Sequence, residues 1–159
     1  MEMDKTKWPD GPWKSEPDHE RWTDEKTGLE CLIRRNHFGS LCGYVGITES
    51  HPAYGMPYHG SLSASDESPT FNEKEPLKAK LQEKINGIFV HGSLSFSDKW
   101  PDEEGSLYWF GFDCAHFCDF SPACSTNSVF GVGSYKDIHF VREQCQLLAR
   151  QLSEITRAD

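Results

Sequence analysis

The sequence predicts an α+β domain, a mainly antiparallel sheet of about four or five strands with a C-terminal helix packed on one face. Three observations carry this expectation. Two stretches rich in apolar residues, 29–35 and 41–47, are joined by a short connection containing Gly39, which is a hairpin signal. A nearly continuous aromatic and apolar run, Leu107 to Phe112, follows Gly105 and precedes Pro122, and it reads as a buried strand. Near the end of the chain Ile138, Val141, Cys145, Leu148, Leu152 and Ile155 recur at spacings of three or four, drawing a single apolar stripe along a helix.

In chain order, residues 1–26 are charged and punctuated by proline, yet hold Trp8, Trp13 and Trp22. Disordered segments are poor in aromatic residues, so this stretch is read as an irregular arm whose indoles dock on the core. Ser15 and Pro17 suggest a short helix over 17–22. The indoles would alternatively wall a flat ligand. In 29–35, Leu29, Cys31 and Ile33 alternate with Glu30, Leu32 and Arg34. The strand over 41–47 contains Gly43 and Gly46, which weaken a strand unless a ligand or a crossing indole must come close. Residues 48–58 read as a loop and 61–74 as a mobile excursion. A helix is expected over 75–86, with Pro76 at its start, Leu77, Leu81 and Ile85 on one face, and Asn86-Gly87 ending it. A third strand is expected over 88–96, an acidic loop over 97–105 and the aromatic strand over 107–115. A loop over 117–134 leads to the closing helix, with Ser134 and Asp137 resembling its cap. The whole of 1–159 is read as a single domain.

Composition narrows the function classes. The formal charge of −9, from 16 basic and 25 acidic side chains, argues against a nucleic-acid partner, whose phosphates need clustered Lys and Arg. Apolar runs are too short to span a bilayer. The first residues lack the apolar stretch of an export signal, so the expected setting is cytoplasmic. The six cysteines are therefore read as thiols or ligands rather than a disulfide framework.

Chemistry concentrates where the aromatic strand ends, at Asp113, Cys114, His116, Cys118 and Asp119. Pairing of 88–96 with 107–115 as antiparallel neighbours would bring His91 to this end. His91, Asp113 and His116 are then candidate acid–base residues. His91, Asp113, His116 and Asp119 form a candidate ligand set for a divalent metal such as zinc. The bland alternative is a strand-end Asp and His bonded to backbone. Cys114, His116, Cys118 and Cys124 are irregularly spaced for structural zinc, and Cys114 beside a histidine is a candidate nucleophile. A second candidate site is a pocket for a small anionic or nucleotide-like ligand. Arg34 and Arg35 would supply guanidinium forks, Gly43 and Gly46 close backbone approach, and Trp109 an aromatic wall. Its alternative is a pair of surface arginines flanking a hairpin.

The segments Gly-Leu-Glu-Cys-Leu-Ile-Arg-Arg-Asn at 28–36, Leu-Cys-Gly-Tyr-Val-Gly at 41–46, His-Pro-Ala-Tyr-Gly at 51–55, Val-His-Gly-Ser-Leu at 90–94 and Trp-Phe-Gly-Phe-Asp-Cys-Ala-His at 109–116 resemble a family of small uncharacterised proteins of bacteriophages and prophage-bearing bacteria. The resemblance spans about residues 10–155. It implies a phage-related accessory protein in the host cytoplasm, with countering of host defence signalling as its expected role. Three function classes follow. The first is binding of a small anionic or nucleotide-like ligand. The second is a metal-dependent or His/Asp hydrolase acting on a phosphoester. The third is a protein–protein adaptor.

Overall fold

A computed structural model of the chain describes residues 3–60, 75–100, 103, 105–116, 118–124 and 133–156. The loop read over 61–74 lies outside the described residues. Five strands form a single antiparallel sheet: β1 (His19–Thr23), β2 (Glu30–Arg35), β3 (Leu41–Ile47), β4 (Phe96–Lys99) and β5 (Tyr108–Asp113). Their spatial order is β1-β2-β3-β5-β4. Helix α1 (Glu75–Asn86) lies between β3 and β4 in the chain, and α2 (Ile138–Ser153) closes the fold.

Alternation decides which side chains each face receives. One face presents Cys31, Ile33, Leu41, Val45, Ile47, Tyr108, Phe110 and Phe112, and α2 lays Val141, Cys145, Leu148 and Leu152 among them. Leu81 and Ile85 of α1 join the same core. At Gly43 there is no room for a side chain: a Cβ there would stand 2.4 Å from the Phe112 ring and 2.7 Å from Cys145 Sγ of α2. The opposite face carries Leu32, Cys42, Tyr44 and Trp109, with Phe96, Trp100 and Leu107 packed over them.

Three local expectations are corrected. Residues 17–22 do not form a helix; His19–Thr23 is the edge strand β1, paired with β2 from His19↔Arg34 to Thr23↔Glu30. The pairing partner of β2 overrode the Ser15/Pro17 helix-start signal. The arm before it still docks by its indole. Trp13 is buried against Phe120 and Tyr135, at centroid distances of 5.2 and 4.9 Å. The strand expected over 88–96 is instead Phe96–Lys99, which begins at its last residue and runs into the stretch read as loop. Consecutive positive φ values at Gly92 (66°) and Ser93 (70°) turn the chain out of an extended path, with Ser93 N–H donating to Val90 C=O at 2.9 Å. Finally, Asp137 rather than Ser134 caps α2, its Oδ1 accepting from Phe140 N–H at 2.9 Å. β4 pairs antiparallel with β5, from Phe96↔Gly111 to Lys99↔Tyr108, so that of the expected 88–96 strand only Phe96 lies in this pair.

All six cysteines are free thiols. Among the described residues, no helix is long and apolar enough to cross a membrane.

Candidate functional site

The site is assembled by three segments that lie outside regular strands. The first is the turn at 90–93. Lacking strand neighbours, its backbone groups are taken by glutamines of α2: Gln144 Oε1 accepts from His91 N–H at 2.9 Å. Two residues earlier, Gln151 accepts from Phe89 N–H at 2.8 Å and donates to Phe89 C=O at 2.7 Å. Two side-chain amides seven positions apart on one helix face thus stand in for a β-neighbour and fix where His91 points. The second segment is the turn leaving β5, closed by Asp119 N–H donating to His116 C=O at 2.9 Å. The third is Ser134 to Lys136, held to the second by an isolated bridge between Asp119 and Ser134.

These segments converge on Asp119, whose side chain is fully buried (0% exposed). His91 Nε2–H donates to both carboxylate oxygens, at 3.0 and 2.9 Å. His116 contributes ring Nδ1–H at 3.0 Å and backbone N–H at 3.1 Å. The Lys136 ammonium lies 3.1 Å from the other oxygen. Burial alone would raise the Asp119 pKa, but the donors from His91, His116 and Lys136 outweigh it and hold the carboxyl below its ordinary range. Asp119 is therefore a buried carboxylate kept ionised by its surroundings.

The histidines are less enclosed. The His91 side chain is 15% exposed and that of His116 is 32% exposed, with ring centroids 5.3 Å apart. Gly92 makes this approach possible: a Cβ there would stand 2.0 Å from His116 Cε1. Beside His91 opens a pocket of about 310 Å³ lined by residues 89–93, Phe140 and Gln144. Phe140 meets the His91 ring edge-on at 5.1 Å and lies 5.8 Å from the Lys136 ammonium.

Of the candidate metal set, His91, His116 and Asp119 come together: each offers a ligand atom, and these atoms lie within 4.8 Å of one another. Two imidazoles and a carboxylate are the donors that catalytic zinc sites use when a further position is left for water or substrate. Asp113 stands outside this group. Its Oδ1 lies 3.6 Å from His116 Nε2 and accepts from Ala115 N–H, while Oδ2 accepts from Ser95 Oγ. It faces the nitrogen of His116 that Asp119 does not use, but beyond hydrogen-bond reach. His91 does reach this end of β5, but by the turn at 90–93 rather than by strand pairing.

The Cys114, His116, Cys118 and Cys124 cluster does not gather. Cys114 is buried in the core, Cys118 is exposed, and among the described residues these four form no ligand group. Burial pushes the Cys114 thiol well above its ordinary pKa, so it stays protonated rather than nucleophilic.

The second candidate site is arranged differently. Arg35 is enclosed in the fold: Nε–H donates to Asp18 at 2.6 Å, and the terminal N–H groups to Gly39 C=O at 2.8 Å and Tyr135 Oη at 2.9 Å. Arg34 emerges on the opposite face, 4.3 Å over the Trp100 ring and 4.0 Å from Glu103. Gly46 receives Trp109 and Leu107, at 3.1 and 3.0 Å from an added Cβ, so a crossing indole is what comes close. Trp109 itself is buried. Arg34, Arg35, Gly43, Gly46 and Trp109 thus lie on both faces of the sheet, and their contacts are with other parts of this chain.

Lys136, Gln144, Gln151, Phe89 and Phe140 escaped the sequence reading. The available signal was the spacing of Gln144 and Gln151, seven apart on the edge of an otherwise apolar stripe. No protein-family model, no curated protein and no solved structure matches this chain.

Proposed function

We propose that this protein is a metal-dependent hydrolase of a small anionic phosphoester, with His91, His116 and Asp119 as ligands of a divalent ion of the zinc type. The observation that carries this reading is the convergence of two partly open imidazoles on a fully buried, ionised carboxylate. Such a carboxylate is costly to bury, and an ion held by it and the two histidines would gain from the same field. The bound ion would lower the pKa of a water and polarise a phosphoryl oxygen. In such a hydrolysis the water oxygen would bond to phosphorus as the bond to the alcohol broke, the water's proton passing to the leaving oxygen. The Lys136 ammonium, which also donates to the Ser134 carbonyl and hydroxyl, is the carboxylate's counterion. In this reading the resemblance to phage-encoded accessory proteins gives the setting, the host cytoplasm, and a host nucleotide signal as the target class.

A second reading uses the same residues without an ion, and the Lys136 contact at 3.1 Å from Asp119 favours it because that ammonium already neutralises the carboxylate. Asp119 would then orient His91 through Nε2–H, leaving Nδ1 as the acid–base nitrogen. The experiment is purification without chelator, elemental analysis, and phosphoester turnover with and without added zinc or manganese. Metal uptake with metal-dependent turnover, both lost in His116→Ala, supports the first reading. Turnover that needs no metal and falls in His91→Ala supports the second. Absence of turnover under every condition removes both.

A further inference from the structure

We infer that the pocket beside His91 takes a planar aromatic ring, so that the substrate of the proposed site is a phosphoester bearing a nucleobase or an aryl group. This rests on the hydrolase reading and names its substrate class. Phe89 is 78% exposed, unusual for a phenyl group, yet its backbone is fixed on both sides by the Gln151 amide. The pinned backbone fixes the anchor point of an exposed aromatic ring, so stacking on it costs only the ordering of the side chain itself. Phe89 borders the pocket with Phe140, which is itself held edge-on to His91. The pocket's volume of about 310 Å³ lies at the lower end of the range of small-molecule sites. Gln144, with its amide oxygen occupied by His91 N–H, adds a polar wall that a heteroaromatic ring can use.

Polarity across the pocket gives the substrate a direction. Phe89 and Phe140 line the pocket as apolar surface and His91 as its titratable group, and His91 in turn bonds the buried Asp119 carboxylate behind it. A ring stacked on Phe89 would leave its phosphoryl group to meet His91 across the pocket. A ring-free phosphoester would reach the same histidine and lose the platform.

The test measures binding of three probes to the intact protein by calorimetry, with and without zinc: adenosine monophosphate, phenyl phosphate and ribose 5-phosphate. Both ring-bearing probes should bind more tightly than ribose 5-phosphate, by about 5- to 150-fold, the range that base stacking on one aromatic side chain supplies. Phe89→Ala should abolish that preference and Phe89→Trp restore it, with metal uptake unchanged in both. Tighter binding of adenosine monophosphate than of phenyl phosphate identifies the ring as a nucleobase; the reverse identifies an aryl group. Equal binding of all three probes, binding of none, or a preference that survives in Phe89→Ala overturns the inference. Failure of metal uptake in the same preparations overturns the reading beneath it instead, so the two failures are distinguishable.

Discussion

Two buried carboxylates with similar electrostatics sit at opposite fates in this molecule. Asp18, with its side chain 4% exposed, accepts from Arg35 at 2.6 Å, Lys5 at 2.7 Å and Met3 N–H at 2.7 Å. Asp119 accepts from two histidines and faces Lys136. Burial tends to raise both pKa values, and in both the surrounding donors win and lower them. The difference lies in the partners. Around Asp18 the guanidinium of Arg35 is sealed (0% exposed) and also contacts Gly39, Tyr135 and Glu16. Around Asp119 the partners include two imidazoles, 15% and 32% exposed, and that of His91 borders a pocket. A closed ion cluster fastens the N-terminal arm; the other is built from partly open imidazoles. Accessibility and the chemistry of the partners, rather than charge, distinguish the two clusters.

The largest effect should come from breaking the closed cluster. Arg35→Ala leaves Asp18 buried with only Lys5 and the Met3 N–H among its described partners and should cost about 3–5 kcal/mol in denaturant unfolding, as loss of one partner of a buried pair does. A cost below about 1 kcal/mol would show that the cluster is not a fastening and that Arg35 is free for the ligand role its sequence position suggested.

Acid should act on the same cluster more gently, because a protonated Asp18 keeps its shape. A carboxyl whose folded pKa lies below its ordinary 3.8 stabilises the fold above that pH and loses the contribution as pH falls through its folded value. The groups facing it are Lys5 and Arg35, with Glu16 and Tyr135 around the guanidinium. The arm should therefore stay docked at pH 5 and loosen below about pH 4. The Trp13 indole N–H resonance, which reports the bond to Pro9 C=O at 2.7 Å, reads this directly. Loosening that begins near pH 6 would point to histidines instead and blur the contrast.

Gly92→Ala should be smaller in stability and specific to the open cluster. A positive φ costs a non-glycine residue roughly 1–2 kcal/mol, and the new methyl collides with the His116 ring, which has solvent to move into. The expected outcome is a folded protein whose His116 no longer bonds Asp119. Unchanged His116 ring shifts by NMR would mean that the close approach is not required.

Much of the fold was legible because it rests on periodicity. The 29–35 and 41–47 pair, the aromatic run and the apolar stripe from Ile138 all became the elements they suggested. Strand β1 was not legible, because Glu20, Arg21 and Thr23 carry little apolar alternation and the strand is specified by its partner β2. His91 and His116 were legible as chemistry, and their proximity as topology, yet the path was misread. Val90-His91-Gly92-Ser93 looks like a strand until two left-handed residues turn it. The role of Asp119 as the hub depends on the turn from His116 and the bridge to Ser134, contacts that no spacing in the sequence announces. Arg35 was read as exposed because its buried partners, Asp18 and Tyr135, lie 17 and 100 residues away.

Metal stoichiometry tests the central claim most directly. The protein is equilibrated with zinc, freed of excess by gel filtration, and analysed for bound metal alongside His116→Ala and Arg34→Ala. The account predicts a single equivalent retained by the wild-type protein and by Arg34→Ala, and loss of that equivalent in a His116→Ala protein that still melts cooperatively. Wild-type protein that retains no zinc, or a His116→Ala variant that retains as much as the wild type, would contradict it.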